Sequence, residues 1–253
     1  MRAISLQSGS NGNCIYVEAG GLRLLFDAGI SASLAIERAA ARGIDLEGID
    51  ALLISHDHSD HCRSLGIFQR RFAVPAYITQ PTLEAAACRC KLGKLGEVRH
   101  FSSGETLRIG SVRIETVPTP HDGADGVGFV IDDGHRRLGI LTDLGHVFDP
   151  LPAVLASLDG VLLESNYDPE MLADGGYPEF LKRRITGPGG HLSNAESAGL
   201  LAAARRLCWA CLAHLSADNN SPEIALATHD EVLQGRLPLH IAGRYAVGEA
   251  LTL

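Results

Sequence analysis

A run of apolar residues, Ala51 to Ile54, leads straight into SHDHSDHC, so that His56, Asp57, His58, Asp60 and His61 stand within six positions. Buried, such groups cost free energy unless each finds a partner, and a bare surface loop gains nothing from them, so packing does not account for the set. A metal does. In a tight turn after a strand, alternate residues point to one side, which lets His56 and His58 face one ion while Asp60 and His61 face another. Histidine and aspartate donors suit zinc or manganese, and the absence of cysteine from the pattern argues against a closed structural zinc site.

Four ligands leave two open sites incomplete, so further histidines or aspartates are sought at other strand ends. Three residues qualify: His121 follows the β-type run SVRIETVPTP, Asp143 ends RRLGILTD, and His214 lies in WACLAHLS. The chain around them alternates in a readable way. ISLQS, CIYVEA and LRLLFDAG form a meander, the last two joined at Gly20 and Gly21; a helix follows over SASLAIERAAARG, and ALLIS is a buried strand. A helix around SLGIFQRRF, strand AYIT and a helix from Pro81 to about Lys91 lead into the β-rich block VRHFS, TLRIG, SVRIETV, GVGFVID and RRLGILTD. The last third reads as helix PAVLASL, strand VLLES, helix LSNAESAGLLAAARRL, strand WACLAHLS, helix SPEIALATHDEVL and strands in LPLHIAG and AVGEALTL. Ser193 with Glu196 forms a capping box, and Ser221 with Pro222 marks another helix start. Two blocks of strands with helices between predict an α/β fold of four layers: two mixed sheets face to face, with helices outside.

Bulk properties narrow the function. A chain of 253 residues can bury a large core and reads as one unit over 1–253, with no linker or low-complexity segment. With 45% hydrophobic and 21% charged residues and no apolar run of about eighteen, a soluble protein without a membrane span is expected. The start, MRAISLQSGSNGN, lacks the apolar core and cleavage site of a signal peptide, so the six cysteines are expected as free thiols in the cytoplasm. Cys208 and Cys211 flank Trp209 in an apolar run and read as buried, without redox or metal chemistry. A net charge of −8 argues against polyanion binding over the whole surface. It leaves room for a nuclease, because two divalent cations bring positive charge to the site itself. Lys182, Arg183 and Arg184 could add to it locally or be a solvated helix face.

The motifs, taken in order, resemble those of the metallo-β-lactamase superfamily: LLFDAG with Asp27, HDHSDH, His121, LTDLG with Asp143, and LAHLS with His214. That resemblance spans nearly the whole chain and implies the αβ/βα sandwich of the metallo-β-lactamase fold. It implies His56, His58 and His121 on one metal, Asp60, His61 and His214 on the other, Asp143 bridging, and Asp27 supporting the histidine loop. SGSNGN with Asn13, ESNYD with Glu164 and Asn166, GHLSN with His191 and Ser193, and HLSADNN are similar in turn to the WalJ (YycJ)-like group of proposed DNA exonucleases. GHLSN is also similar to a motif of the RNase J class, and ESN sits where tRNA 3′-processing enzymes carry HEAT, with Leu163 in place of that motif's histidine. The run from Asp143 to His191 is too short for the inserted clamp domain of RNase J relatives.

Two divalent ions, zinc or manganese, can hold a metal-bound hydroxide and neutralise charge on a phosphoryl oxygen, with Asp60 as a plausible general base. His191 precedes the helix capped by Ser193, where backbone donors and an imidazole can converge on a phosphate. The expected function is a metal-dependent phosphodiesterase acting on DNA as a 5′-to-3′ exonuclease, the polarity coming from the resemblance alone. RNA is the alternative nucleic acid, and a homo-oligomer is compatible with the chain. A competing reading keeps the metals and hydrolyses a small ester, thioester or lactone; another is a non-catalytic interaction protein, against which the full ligand set speaks.

Overall fold

In the first half of the chain β1 (Arg2–Gln7), β2 (Cys14–Ala19) and β3 (Leu22–Phe26) pair antiparallel, with Ala19 opposite Leu22 across the two-glycine turn. Ser31 then caps α1 (Ala32–Ala40) by accepting the Leu34 N–H, and the chain returns as β4 (Ala51–Leu53), parallel to β3. The short α2 (Ser59–Cys62) and α3 (Leu65–Phe72) lead to β5 (Ala76–Thr79), and α4 (Gln80–Arg89) to β6 (Val98–Phe101), both strands parallel to their neighbours. This computed structural model describes residues 1–253.

The second half repeats the plan. Strands β7 (Thr106–Ile109), β8 (Val112–Pro118), β9 (Val127–Asp132) and β10 (Arg137–Leu141) form the antiparallel part. After α5 (Leu151–Ala156), β11 (Gly160–Glu164) runs parallel to β10. Then come α6 (Pro169–Asp174), α7 (Glu179–Ile185), α8 (Asn194–Ala203), β12 (Trp209–Ala213), α9 (Pro222–Leu233) and β13 (Leu239–Ile241), the last strands again parallel. The closing β14 (Leu251–Thr252) crosses back to pair with β1, giving two seven-stranded sheets. Strands β4, β5, β11 and β12 are buried along their whole length, as parallel strands covered on both faces must be.

Alternation along each strand divides the apolar side chains between layers. In β3, Leu24 and Phe26 point into a core between the sheets, where Phe26 meets Phe129 of the opposite sheet at 5.1 Å between ring centroids. Leu25 points the other way, into a second core with α1 and α3. A third core joins the second sheet to α5, α8 and α9. Three apolar layers between four backbone layers are the expected sandwich.

Four details depart from expectation. Helices α6 and α7 occupy the stretch between ESNYD and GHLSN, for which the sequence pattern predicts no element, and Lys182, Arg183 and Arg184 end α7. Helix α8 stops at Ala203, and Arg206 beyond its end pairs with Asp159 at 3.0 Å. Cys208 is exposed, although Cys211 is buried as expected, because Cys208 precedes the strand; all six cysteines are free thiols. His214 lies just beyond β12. No helix is long and apolar enough to cross a membrane.

Candidate metal centre

The C-terminal ends of the strands in both sheets open on one side, the place where α/β sheets bind their ligands. Asp27 follows β3, the loop with His56, His58, Asp60 and His61 follows β4, Asp143 follows β10, Glu164 ends β11 and His214 follows β12. Asp27, Asp143 and His214 adopt left-handed backbone conformations at φ 63°, 57° and 55°, and only two other non-glycine residues have positive φ. Such turns cost on the order of 1 kcal/mol each and persist where the surroundings hold them. Here they turn the chain sharply at a strand end, directing Asp143 and His214 to the ligand cluster and Asp27 to Ser55 and His61 Nδ1 behind it.

Ligand atoms of His56, His58 and His121 lie within 4.8 Å of one another, and so do those of Asp60, His61 and His214. Asp143 stands between the two sets. Its Oδ2 is 3.2 Å from His61 Nε2, while Oδ1 is 3.7 Å from His121 Nε2 and 3.4 Å from His214 Nδ1. Asp60 Oδ2 is 3.6 Å from both His61 Nε2 and His214 Nε2.

Outer partners fix which ring nitrogen faces inward. The Asp27 carboxylate is acceptor-only, so His61 Nδ1 donates to it at 2.7 Å and keeps Nε2 for the opening. His121 Nδ1 donates to the Gly190 carbonyl at 2.8 Å with the same result. Ser55 Oγ stands 3.0 Å from His56 Nδ1 and 3.0 Å from Asp27 Oδ2, so one hydroxyl ties two supports together. Glycine permits two close approaches here. A Cβ on Gly29 would come within 1.6 Å of the Asp60 carbonyl oxygen, and one on Gly190 within 2.0 Å of that of Ile185.

Of the other residues singled out in the sequence, four sit against this cluster. Asn13 Nδ2 is 2.8 Å from His61 Nε2, and its Oδ1 accepts the Gly9 N–H. Asn166 donates to the His214 carbonyl at 2.7 Å. Glu164 is wholly buried; its Oε1 accepts from His191 Nδ1 at 2.7 Å and its Oε2 from the Leu144 and Leu192 backbones. His191 lines the same pocket as His58, Asp60, Asp143 and His214. Ser193 is not brought to the pocket, because its hydroxyl is spent on the capping box with Glu196. That overturns part of the anion site expected at this helix start. The backbone N–H groups of His191, Leu192, Ser193 and Asn194 go to Ile185, Glu164, Glu196 and Tyr167, so none of these four is free for an anion.

Several contributors were missed. Asp122 Oδ1 is 3.3 Å from His58 Nε2 and its Oδ2 accepts from Arg184 Nε at 2.7 Å; its place next to His121 was the available signal. Asp57, within the motif, turns away to accept the Ala124 N–H at 2.7 Å and to pair with Arg89 at 2.7 Å, without hydrogen-bond alignment in that pair. Arg89 and Arg184 both line the pocket. Arg184 belongs to the basic run that could add charge locally, whereas nothing in the sequence around Arg89 marks it.

Whether the cluster suits metal ions can be judged from its own atoms. His56 Nε2, Asp143 Oδ2 and His214 Nε2 are buried without any hydrogen-bond partner. Orphaned polar atoms are rare in protein interiors, and three ligand-type ones, each belonging to one of these clusters, fit divalent cations. The charges agree. Burial opposes ionisation of Asp143, but His214, His61 and His56 outweigh it and hold the carboxyl well below its usual range. Burial likewise opposes charge on His214, yet Asp143, Asp60 and Glu164 raise it to about 10. Glu164, against its own burial, is held at about 2 by His191 and His214. Buried carboxylates so arranged call for positive charge among them.

Residues 22–212 match the family described as Beta-lactamase superfamily domain. The chain is 31% identical over 250 residues to exodeoxyribonuclease YycJ of Bacillus anthracis, covering 98% of this chain and 92% of that protein. It is 34% identical over 227 residues to exodeoxyribonuclease WalJ of Streptococcus pneumoniae, covering 88% and 84%. Among solved structures, Zn(2+)-bound PqqB from Methylobacterium extorquens superposes with a TM-score of 0.76 at 18% identity over the whole of both chains. At that identity the likeness concerns the fold.

Proposed function

The chain belongs to the metallo-β-lactamase superfamily and within it to the YycJ/WalJ group, and from that premise we propose that it is a metal-dependent nuclease, specifically a 5′-to-3′ DNA exonuclease using two zinc or manganese ions. One observation carries the choice of substrate. The pocket over the ligand cluster, about 430 Å³, is lined by nine residues of which none is hydrophobic, and Arg89 and Arg184 are among them. An acyl chain or a lactone ring would find no apolar wall there, whereas a phosphodiester finds hydrogen-bond donors and two cations. Names borne by the relatives support DNA; the polarity rests on the family resemblance.

His56, His58 and His121 would hold one cation and Asp60, His61 and His214 the other, with Asp143 shared between them. When bound, the cations supply Lewis acidity, a nucleophile at neutral pH and neutralisation of phosphoryl charge. The protein's own groups do the rest. Asp60 orients the attacking water and accepts its proton. His191, its Nδ1 proton held by Glu164, presents the other edge of its ring to the phosphate. Arg89 and Arg184 meet phosphates at the rim.

The test is a substrate panel: protein reconstituted with Mn or Zn against 5′-phosphorylated single- and double-stranded DNA, RNA, thioesters and lactones. DNA should be degraded from its 5′ end. His191→Ala should lower phosphodiester turnover by about 10²-fold or more, as for the loss of one positioned acid or charge stabiliser, with metal content unchanged. Turnover of thioesters or lactones with none of nucleic acid would overturn the reading. Equal losses on both substrate classes in His191→Ala would remove the phosphate role given to that residue.

A further inference from the structure

Behind the His214 loop lies a second cavity, of about 390 Å³, within the ~300–1,000 Å³ range of small-molecule sites. In contrast to the metal pocket its wall is largely apolar, with Leu215, Pro222, Ile241 and Tyr245 contributing. The two spaces share a partition. Ser8 lines the second cavity, and its Oγ accepts the His214 N–H at 2.9 Å. Arg244, also in its wall, donates to the Leu215 carbonyl at 2.8 Å and to Oγ of Ser10 at 3.2 Å, and Ser10 lines the metal pocket.

Tyr245 gives the cavity its character. It is 77% exposed, more than any other large hydrophobic side chain. A single exposed aromatic ring is ordinary on a mobile loop, but this loop is pinned at both sides of the ring. Arg38 donates to the Tyr245 carbonyl at 2.9 Å and Arg42 to that of Val247; the Arg244 carbonyl accepts from Asn11, and Ser8 and Gly248 make backbone bonds to Gly243 and Ser5. An aromatic face is thus held in water on a fixed backbone beside an apolar hollow and one partition away from the metal ligands.

We infer that this cavity is a nucleobase subsite, in which Tyr245 stacks on the base adjoining the phosphate bound at the metal centre. The inference rests on the nuclease reading. Aromatic rings take every base by its face, so such a subsite favours strands whose base is unpaired at that point without selecting a sequence. It also explains a division of labour on the surface: cations and imidazoles meet the phosphate in one pocket, and carbon meets the base in the next.

The experiment uses oligonucleotides that carry an abasic residue on one or the other side of the scissile phosphate, compared with the normal strand. Wild type should prefer the base-bearing strand by about 10-fold in kcat/KM on one side, the order expected for one base–aromatic stack. Tyr245→Ala should bring that preference close to one, and Tyr245→Phe should keep it. A preference undiminished in Tyr245→Ala overturns the subsite and leaves the nuclease intact. A readout independent of turnover separates the two ideas: binding of a strand with 2-aminopurine at the same position. If wild type hydrolyses no nucleic acid but changes the 2-aminopurine emission, and Tyr245→Ala does not, the subsite stands without the nuclease. No emission change in wild type rejects it.

Discussion

Asp27 and Asp143 hold matching places in the two halves of the molecule. Each follows the strand at which its sheet turns from antiparallel to parallel pairing, β3 in one half and β10 in the other, and each has a left-handed backbone. Their duties differ. Asp27 faces outward to the supports, taking Ser55 and His61 Nδ1, whereas Asp143 faces inward between the two ligand sets. The halves differ likewise in how they deliver the proposed ligands. The first places His56, His58, Asp60 and His61 on one loop and the short α2 after β4; the second contributes His121, Asp143 and His214 singly from separate strand ends. A loop gives density, and dispersed residues tie the site to the whole sheet. Removing one residue from each half tests whether density or position matters more.

The largest effect is expected from the dispersed half. Asp143→Ala removes the only carboxylate lying close to both ligand sets. Wild type should carry up to two transition-metal ions per chain by elemental analysis, and the variant should fall well below one. That loss exceeds the ~10–100-fold drop in affinity typical of removing an outer-shell partner. A folded Asp143→Ala protein that keeps both ions would show that its place between the sets is incidental.

Asp60→Asn, in the dense loop, should divide the two properties. His56, His58 and His121 remain, so about one ion per chain should stay bound, while turnover falls by about 10²–10⁴-fold with the loss of a base. Parallel loss of metal and activity would mean that the loop binds as one unit and that the separation into two sets is wrong.

The same contrast decides what could be read before folding. The proposed ligands after β4 were legible because they are neighbours in the chain and no packing argument explains them. His121, Asp143 and His214 needed strand ends to be located first, and their grouping came from the family resemblance. Helices α6 and α7, no shorter than the expected α5, escaped because Gly175, Gly176, Pro178 and Gly187 surround them and read as breakers. Ser193 was read correctly as a cap, and the capping box uses the hydroxyl that a ligand would need. Asp122 stood beside His121 in plain view, but its role depends on Arg184, 62 residues away. Tyr245 and Arg244 matter only through the cavity that the returning chain encloses.

The smallest expected effect concerns the rim, where each half supplies one cation. Arg89 ends α4 in the first half and pairs with Asp57; Arg184 lies in α7 of the second and pairs with Asp122. Their side chains are 52% and 53% exposed, so water screens them and the interaction of each with a phosphate is worth at most about 1 kcal/mol, or about five-fold in KM. Salt dependence is the sharper measure. Removing one phosphate-neutralising cation should lower the slope of log affinity against log salt by about 0.7 on single strands or 0.9 on duplex. Arg89→Ala and Arg184→Ala should each do this with metal content unchanged. They share no ion-pair partner, so the double variant should lose close to the sum. If only Arg184→Ala moves the slope, the strand crosses the second half alone, and Arg89 serves to hold Asp57 and the ligand loop in place. If neither does, the rim cations are structural and affinity comes from the metal pocket itself.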